Sequence, residues 1–157
     1  MKKVKFVAFE GPDGSGQSTQ AELFCEYLEN EGRPAFLTKE PTLTSQAGQT
    51  IQKVLKREIA VTPDVLQKLF ADDRRVHLKN TILPAIAASK TVVTDRYSFS
   101  SFAYGSLDCE LEWLIKINRE FLWPDLTFIL LVRPEICIER IRRRGGAPEF
   151  FEERAKL

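Results

Sequence analysis

Gly11-Pro12-Asp13-Gly14-Ser15-Gly16-Gln17-Ser18-Thr19 has the spacing of a phosphate-binding loop, G-x-x-x-x-G-K-[ST], with Gln17 at the lysine position. The run before it, Lys5 to Glu10, is short, apolar and β-favouring, and predicts a buried strand. The residues after it, about Ser18 to Asn30, put Ala21, Phe24 and Leu28 on one helical face, with Gly32 as the stop. Strand, glycine turn and helix together aim backbone N–H groups at a common point, and the helix start adds partial positive charge. Gly11, Gly14 and Gly16 keep Cβ atoms out of that point, and Ser18 offers a hydroxyl to Mg²⁺. This backbone nest survives the change at Gln17. What goes is one positive charge beside the β- and γ-phosphates. Losing one preorganised donor costs about 10²–10³ in rate. The plain alternative is a glycine-rich turn with no ligand.

The same alternation continues along the chain. Pro34 to Lys39 and Thr91 to Asp95 predict further strands. Leu126 to Val132 is a nearly continuous apolar run, as expected of a strand covered on both faces. Ser45 to Glu58 has helical spacing at Ile51, Val54 and Leu55. Thr62-Pro63-Asp64 starts a helix with a Thr cap, Pro at the first position and an acid in the first turn, followed by Val65, Leu66, Leu69 and Phe70 on one face. Leu111, Leu114, Ile115, Phe121 and Leu122 mark another helix, and Pro134 opens a basic one with Cys137, Ile138 and Ile141 inward. Alternating strands and helices predict an α/β fold, three layers α/β/α around a parallel sheet of four visible strands. Ligands of such folds bind beyond the carboxyl ends of the strands, which selects residues 11–19, 39–42, 95–104 and 133 onward.

At 157 residues the chain suffices for one domain, 1–157, with a core. Lys plus Arg is 23 against 22 acids, so charge supplies no argument for nucleic-acid or membrane binding. Cys25, Cys109 and Cys137 are scattered, without metal spacing, and there is one histidine, which argues against a disulfide framework or a zinc site. Phe6-Val7-Ala8-Phe9 is too short for a signal sequence, and no run reaches transmembrane length. The expectation is a cytoplasmic protein.

Phe70 and Arg74, four apart on one helix face, suit a planar base: one stacks it, the other bonds its edge. The plain alternative is a core Phe with Arg74 paired to Asp72 or Asp73. Asp95-Arg96-Tyr97 ends a strand, where Asp95 suits Mg²⁺ and Arg96 a phosphate, or both form a strand-end salt bridge. Arg140, Arg142, Arg143 and Arg144 before Gly145-Gly146 suit a flap closing on phosphates, or simple compensation of a helix dipole. His77 reads as a packed or solvated helix residue, and Trp113 and Trp123 as core or subunit-contact aromatics.

Taken together, FVAFEGPDGSGQSTQ, TKEPT, LFADDRRVH, DRYSFSSFAYG and PDLTFILLVRPEICIERIRRRG resemble thymidylate kinase, a P-loop nucleoside monophosphate kinase family. They occur in the family's order over nearly the whole chain. The resemblance implies that ATP with Mg²⁺ phosphorylates dTMP to dTDP. It implies that Gly11, Asp13, Gly14, Ser15, Gly16, Gln17, Ser18 and Thr19 hold the ATP phosphates, with Asp13 facing the dTMP side. Ser18 and Asp95 would serve Mg²⁺, and Asp95 with Arg96 would position the phosphates. Lys39, Glu40 and Pro41 match the start of the family's REPGGT segment and would be part of the dTMP-binding side of the site. Phe70 would stack the thymine and Arg74 bond its edge, which reverses the plain reading of that pair. Ser100, Ser101 and Tyr104 would line the sugar and base pocket. Gly14 stands where one branch of the family has a catalytic arginine, so the resemblance is to the lid-arginine type, with Arg140, Arg143 and Arg144 as candidates. A homodimer through the 62–79 and 98–122 helices is also implied.

The chain departs from the family pattern at three places. Gln17 replaces the loop lysine, and Thr42-Leu43-Thr44 replaces Gly-Gly-Thr. After Arg144-Gly145 the lid, placed at 140–150, is short, and Glu149-Phe150-Phe151-Glu152-Glu153 follows almost at once. A fifth strand, a final helix and the adenine cradle are then expected to be missing, and 145–157 to be mobile. Three readings follow: a working thymidylate kinase; a nucleotide-binding protein weakened by Gln17; and a kinase for another pyrimidine nucleotide.

Overall fold

The computed structural model describes residues 4–145. Phe6–Glu10 forms β1, and every one of its residues is buried. Alternate β1 side chains enter two different cores, as the two-residue period of a strand requires. Phe6 and Ala8 meet Ala71, Leu78, Ile82, Val92, Tyr97 and Phe121. Val7 and Phe9 meet Ala21, Cys25, Leu28, Ala35 and Val93 on the other face. The second face is covered by α1 (Gln17–Asn30), the first by α3 (Pro63–His77), the π-helical turn Leu78–Ile82 and α4 (Leu83–Ala87). These are the three layers expected.

The sheet joins β1 to β2 (Ala35–Lys39), β3 (Thr91–Asp95) and β4 (Leu126–Ile129) in the order β2-β3-β1-β4, every pairing parallel. Its register brings the strand ends level: Asp95 pairs with Phe9 on one side and with Lys39 on the other. α2 (Gln46–Leu55) packs on α3 through Ile51, Val54 and Leu66. α5 (Ser98–Gly105), α6 (Leu111–Asn118) and α7 (Pro134–Arg144) complete the described chain.

The double cover expected of β4 is corrected by the structure. Leu126, Phe128 and Ile129 are 38–55% exposed: among the described residues β4 is an edge strand paired only with β1, and no helix packs substantially on its faces. The Thr62 boundary agrees, but its hydroxyl donates to Asp64 at 2.6 Å rather than capping the helix. The predicted helix around 111–122 ends at Asn118, before Phe121 and Leu122. α5 has no periodicity signal of its own. Its start is held from β1: the buried Glu10 accepts the N–H groups of Tyr97, Phe99 and Ser100 and the Ser100 hydroxyl. Burial nevertheless pushes the Glu10 carboxyl up, outweighing the Ser100 hydroxyl and the charge of Arg96. Residues 146–150 of the predicted lid, and the Glu149–Glu153 segment, lie outside the described residues. Among the described residues no helix is long and apolar enough to cross a membrane.

Candidate active site

The glycine loop crosses from β1 to α1 with Gly14 at φ 81° and Gly16, the residue before the helix, at φ 92°. No acidic residue stands in the first turn of α1, so nothing on that turn competes with an anion for its N–H groups. A Cβ at Gly14 would lie 2.5 Å from the Cys137 carbonyl oxygen, so α7 leaves no room for a side chain there. From α7, Arg140 Nη1 donates to the carbonyls of Gly14 (3.2 Å) and Ser15 (3.1 Å). Holding the loop by its oxygens turns its amides the other way. Gln17 is buried, and its Oε1, like Ser15 Oγ, has no protein partner.

Beside the loop stand the ends of β2 and β3. Ser18 Oγ donates to Asp95 Oδ2 at 2.6 Å, and Lys39 Nζ pairs with the same oxygen at 3.0 Å. Asp95 Oδ1 is buried with no partner. A carboxylate and a hydroxyl are the hard oxygen donors that Mg²⁺ takes from proteins, usually one or two beside substrate phosphates. The donor set therefore fits that ion.

Arg96 follows Asp95 with φ 70°, an uncommon conformation for a non-glycine residue. Its Nη2 donates to Asp13, and its Nη1 to the Gly11 carbonyl and Ser100 Oγ. Burial opposes the Arg96 charge, but Asp13, Tyr104, Asp95 and Glu10 together hold its proton more firmly than usual. The guanidinium lies 5.5 Å from the Tyr104 ring centre, and Tyr104 Oη is 3.4 Å from Asp13 Oδ2.

The other end of the site is a buried polar network. Arg74 is 1% exposed. Its Nε and Nη2 both bond Glu40 Oε2, at 2.9 and 2.7 Å, and its remaining donors reach Asn118 Oδ1 and Ser101 Oγ. Its guanidinium also packs 4.8 Å from the Tyr97 ring centre. Glu40 Oε1 is 3.0 Å from His77 Nδ1, and His77 Nε2 is 2.6 Å from Thr38 Oγ1. In the neutral ring, Nδ1–H donates to Glu40 and Nε2 accepts from Thr38. The plain pairing of Arg74 with Asp72 or Asp73 is thus corrected. Asp72 pairs with Arg75, and Asp73 accepts from Thr42 N, Thr42 Oγ1 and Ser45 Oγ. Asp73 thereby moors the Thr42-Leu43-Thr44 departure onto α3. Gly48 is what allows the approach, since a Cβ there would lie 2.1 Å from the Thr42 carbonyl oxygen.

One cavity of about 590 Å³ joins the two ends. Asp13, Gly14, Gly16, Gln17, Ser18, Thr19, Lys39, Glu40, Pro41, Phe70, Arg74, Arg96, Ser100, Ser101, Tyr104, Arg140 and Arg144 line it, all residues singled out from the sequence. Gly11, Ser15 and Asp95 stand just behind this wall. Arg143 is not brought there: its guanidinium pairs with Glu139 on the exposed side of α7. Gln52, Leu55, Lys56, Gln67, Tyr97 and Ile141 also line the cavity and were not read from the sequence as site residues; Leu55, Tyr97 and Ile141 were read only as parts of helices or a strand end. Of the buried supports, Glu10 was readable only as a strand residue and Asn118 only as a helix residue. His77 is a packed residue, as one reading had it, and an organised one.

Residues 9–157 match the family model for thymidylate kinase. The chain belongs to the thymidylate kinase family. It is 39% identical over 151 residues to a probable thymidylate kinase of Pyrococcus horikoshii, covering 92% of this chain and 73% of that one. It is 41% identical over 159 residues to a thymidylate kinase of Leptospira interrogans, covering 99% and 78%. The fold superposes on the crystal structure of thymidylate kinase from Ehrlichia chaffeensis with a TM-score of 0.73 at 28% identity, covering 90% of this chain and 80% of that one. The loop, the strand-end cluster and the buried network are this family member's versions of the segments that carried the resemblance.

Proposed function

We infer that this chain carries out the reaction of its family, ATP- and Mg²⁺-dependent phosphorylation of dTMP to dTDP. The cavity running continuously from the glycine loop to Phe70 and Arg74 supports this most directly, because one space offers amides to phosphates and a ring to a base. An oxygen of the dTMP phosphate bonds to the γ-phosphorus as the bond to the β,γ-bridging oxygen breaks, and ADP leaves.

In this reading the amides of residues 11–19 hold the ATP phosphates. Ser18 and Asp95 hold Mg²⁺, which when bound neutralises phosphate charge. Arg96, fixed by Asp13 and Ser100, and Lys39 bring positive charge to the phosphate end, where transfer depends on positioning and electrostatics. Arg140 and Arg144 approach from the lid side, and Arg143, facing away, has the weakest claim among the lid arginines. Phe70 stacks the thymine and Arg74 presents an immobile edge to it, beside Ser101. Tyr104 and Ser100 border the sugar.

The test is an ADP-release assay with ATP, Mg²⁺ and dTMP. Turnover of dTMP well above that of other pyrimidine monophosphates is the expected outcome. Binding of both nucleotides with no turnover would instead favour the weakened binder, the reading to which the buried, unpartnered Gln17 amide oxygen lends support.

We further infer a cytoplasmic homodimer. Phe99, Leu107, Leu111, Ile115, Leu122 and Trp123 are 39–51% exposed on and around α5 and α6, an apolar surface suited to a second copy. A single 18.0 kDa species in sedimentation at micromolar concentration would remove the dimer.

A further inference from the structure

The phosphate loop of this chain has no lysine, yet a lysine reaches the same place from another strand. Lys39 is the last residue of β2, and the sheet register sets it directly beside Asp95, the last residue of β3. Parallel neighbours in register present their side chains to the same face of the sheet. Lys39 Nζ accordingly lies 3.0 Å from Asp95 Oδ2, the oxygen that also receives the hydroxyl of Ser18. Ser18 follows Gln17 in the chain. Lys39, Gln17 and Ser18 all line the same cavity.

We propose that Lys39 is the phosphate-loop lysine of this protein in another position: its ammonium supplies to the ATP β- and γ-phosphates the charge that Gln17 cannot. This rests on the ATP-dependent reading above and goes beyond it, by giving Lys39 to the donor rather than to the acceptor.

Three features favour Lys39 over Arg96 and Arg140, the two cations bonded to the loop. Arg96 is already committed to Asp13, the Gly11 carbonyl and Ser100. Arg140 is spent on the loop's own carbonyl oxygens. Lys39, by contrast, has a side chain 61% exposed on a flexible stem and held by one ion pair. Its ammonium can leave Asp95 for a phosphate oxygen when that carboxylate turns to Mg²⁺. The electrostatic requirement is for a positive charge near the transferring group, not for its attachment to a particular backbone position.

The experiment is a calorimetric titration of wild type, Lys39→Gln, Lys39→Arg, Gln17→Lys and the double variant Gln17→Lys/Lys39→Gln. Each is titrated with the β,γ-imido analogue of ATP plus Mg²⁺, and separately with dTMP. Lys39→Gln is expected to weaken the analogue about tenfold or more, the scale of one hydrogen bond to a charged group. Lys39→Arg keeps the charge and is expected to keep the affinity. Restoring the lysine in the loop is expected to recover it in the double variant. In the kinase assay kcat should fall by about 10²–10³ in Lys39→Gln and return in the double variant.

Unchanged affinity of Lys39→Gln for the analogue, or a loss confined to dTMP, overturns the assignment. So does a wild type that binds no analogue, or a folded double variant with no recovery. If Gln17→Lys does not fold, the contrast between Lys39→Gln and Lys39→Arg still decides. Should wild type turn over no dTMP while the titrations show the Lys39 dependence, the proposed reaction fails and the Lys39 assignment stands.

Discussion

The two ends of the cavity are built on opposite principles. At the phosphate end the fixed parts are backbone: amides of a glycine loop, a helix start, and carbonyls gripped by Arg140. Among the charges there Arg96 and Arg140 are held by the loop and its neighbours, but Lys39, 61% exposed and in one ion pair, has room to move. At the base end the backbone is incidental and the side chains are locked, with Arg74 and Glu40 only 2% and 4% exposed in an ion pair. A phosphate is a diffuse anion that accepts positive charge from several directions. A base is a planar object with a fixed pattern of donors and acceptors, which needs partners that do not move. Substitution at Gln17 is tolerable where charge can be resupplied; no such freedom exists around Arg74.

The strongest way to break this comparison is Glu40→Leu. It would strand the Arg74 guanidinium and remove the Nδ1 partner of His77, at a cost of about 3–5 kcal/mol of stability, the range for uncoupling a buried charge. Urea denaturation reads it directly. A shift within the ±0.5 kcal/mol of an ordinary surface change would show that the base end is not locked.

A middle-sized effect is expected at the phosphate end. Arg140→Ala should leave stability nearly unchanged while raising the KM for ATP severalfold, because it frees the Gly14 and Ser15 carbonyls. Arg143→Ala, whose guanidinium is turned to Glu139, should change neither. Equal kinetic losses in the two variants would mean that the face α7 presents here is not the working one.

The smallest effect concerns Asp64, an exposed residue remote from both ends. The Thr62 hydroxyl and then Lys68 bring its carboxyl down to about 2 from the usual 3.8. A lowered carboxyl stabilises the fold above its unfolded value and loses that contribution as the pH falls through its folded one. Asp64→Asn should therefore melt slightly lower than wild type at neutral pH, with the gap closing as the pH falls through the range from 3.8 to about 2. A gap that is the same at pH 7 and near pH 2 would contradict this.

The phosphate end was legible in the sequence because it is local. Nine consecutive residues between a strand and a helix make the nest, and spacing alone reveals it. Asp95 and Arg96 were legible as the end of an apolar strand, where α/β folds place ligands. The base end was half legible. Phe70 and Arg74 share a helix face at any tertiary structure, but the partners that immobilise Arg74 lie 27 to 44 residues away, on segments whose own sequences say nothing of it. Local proximity pointed instead to Asp72 and Asp73, which the fold assigns elsewhere. β4 misled for the same reason: the largely apolar run Leu126 to Val132 predicts a strand correctly, but how far it extends and what covers it are decided by the rest of the fold.

From the sequence alone come the alternation of strands and helices, the phosphate nest, the missing lysine and the family these belong to. All depend on contacts within one turn or one strand, or on motifs in order. Only the tertiary structure decides that Glu10 starts α5, that Asp73 moors Thr42, and that Lys39 comes to rest beside Asp95 and Ser18. Each joins segments far apart in the chain, and parallel pairing sets the last of them. A sheet brings residues level by register, a relation that no spacing along a single strand records.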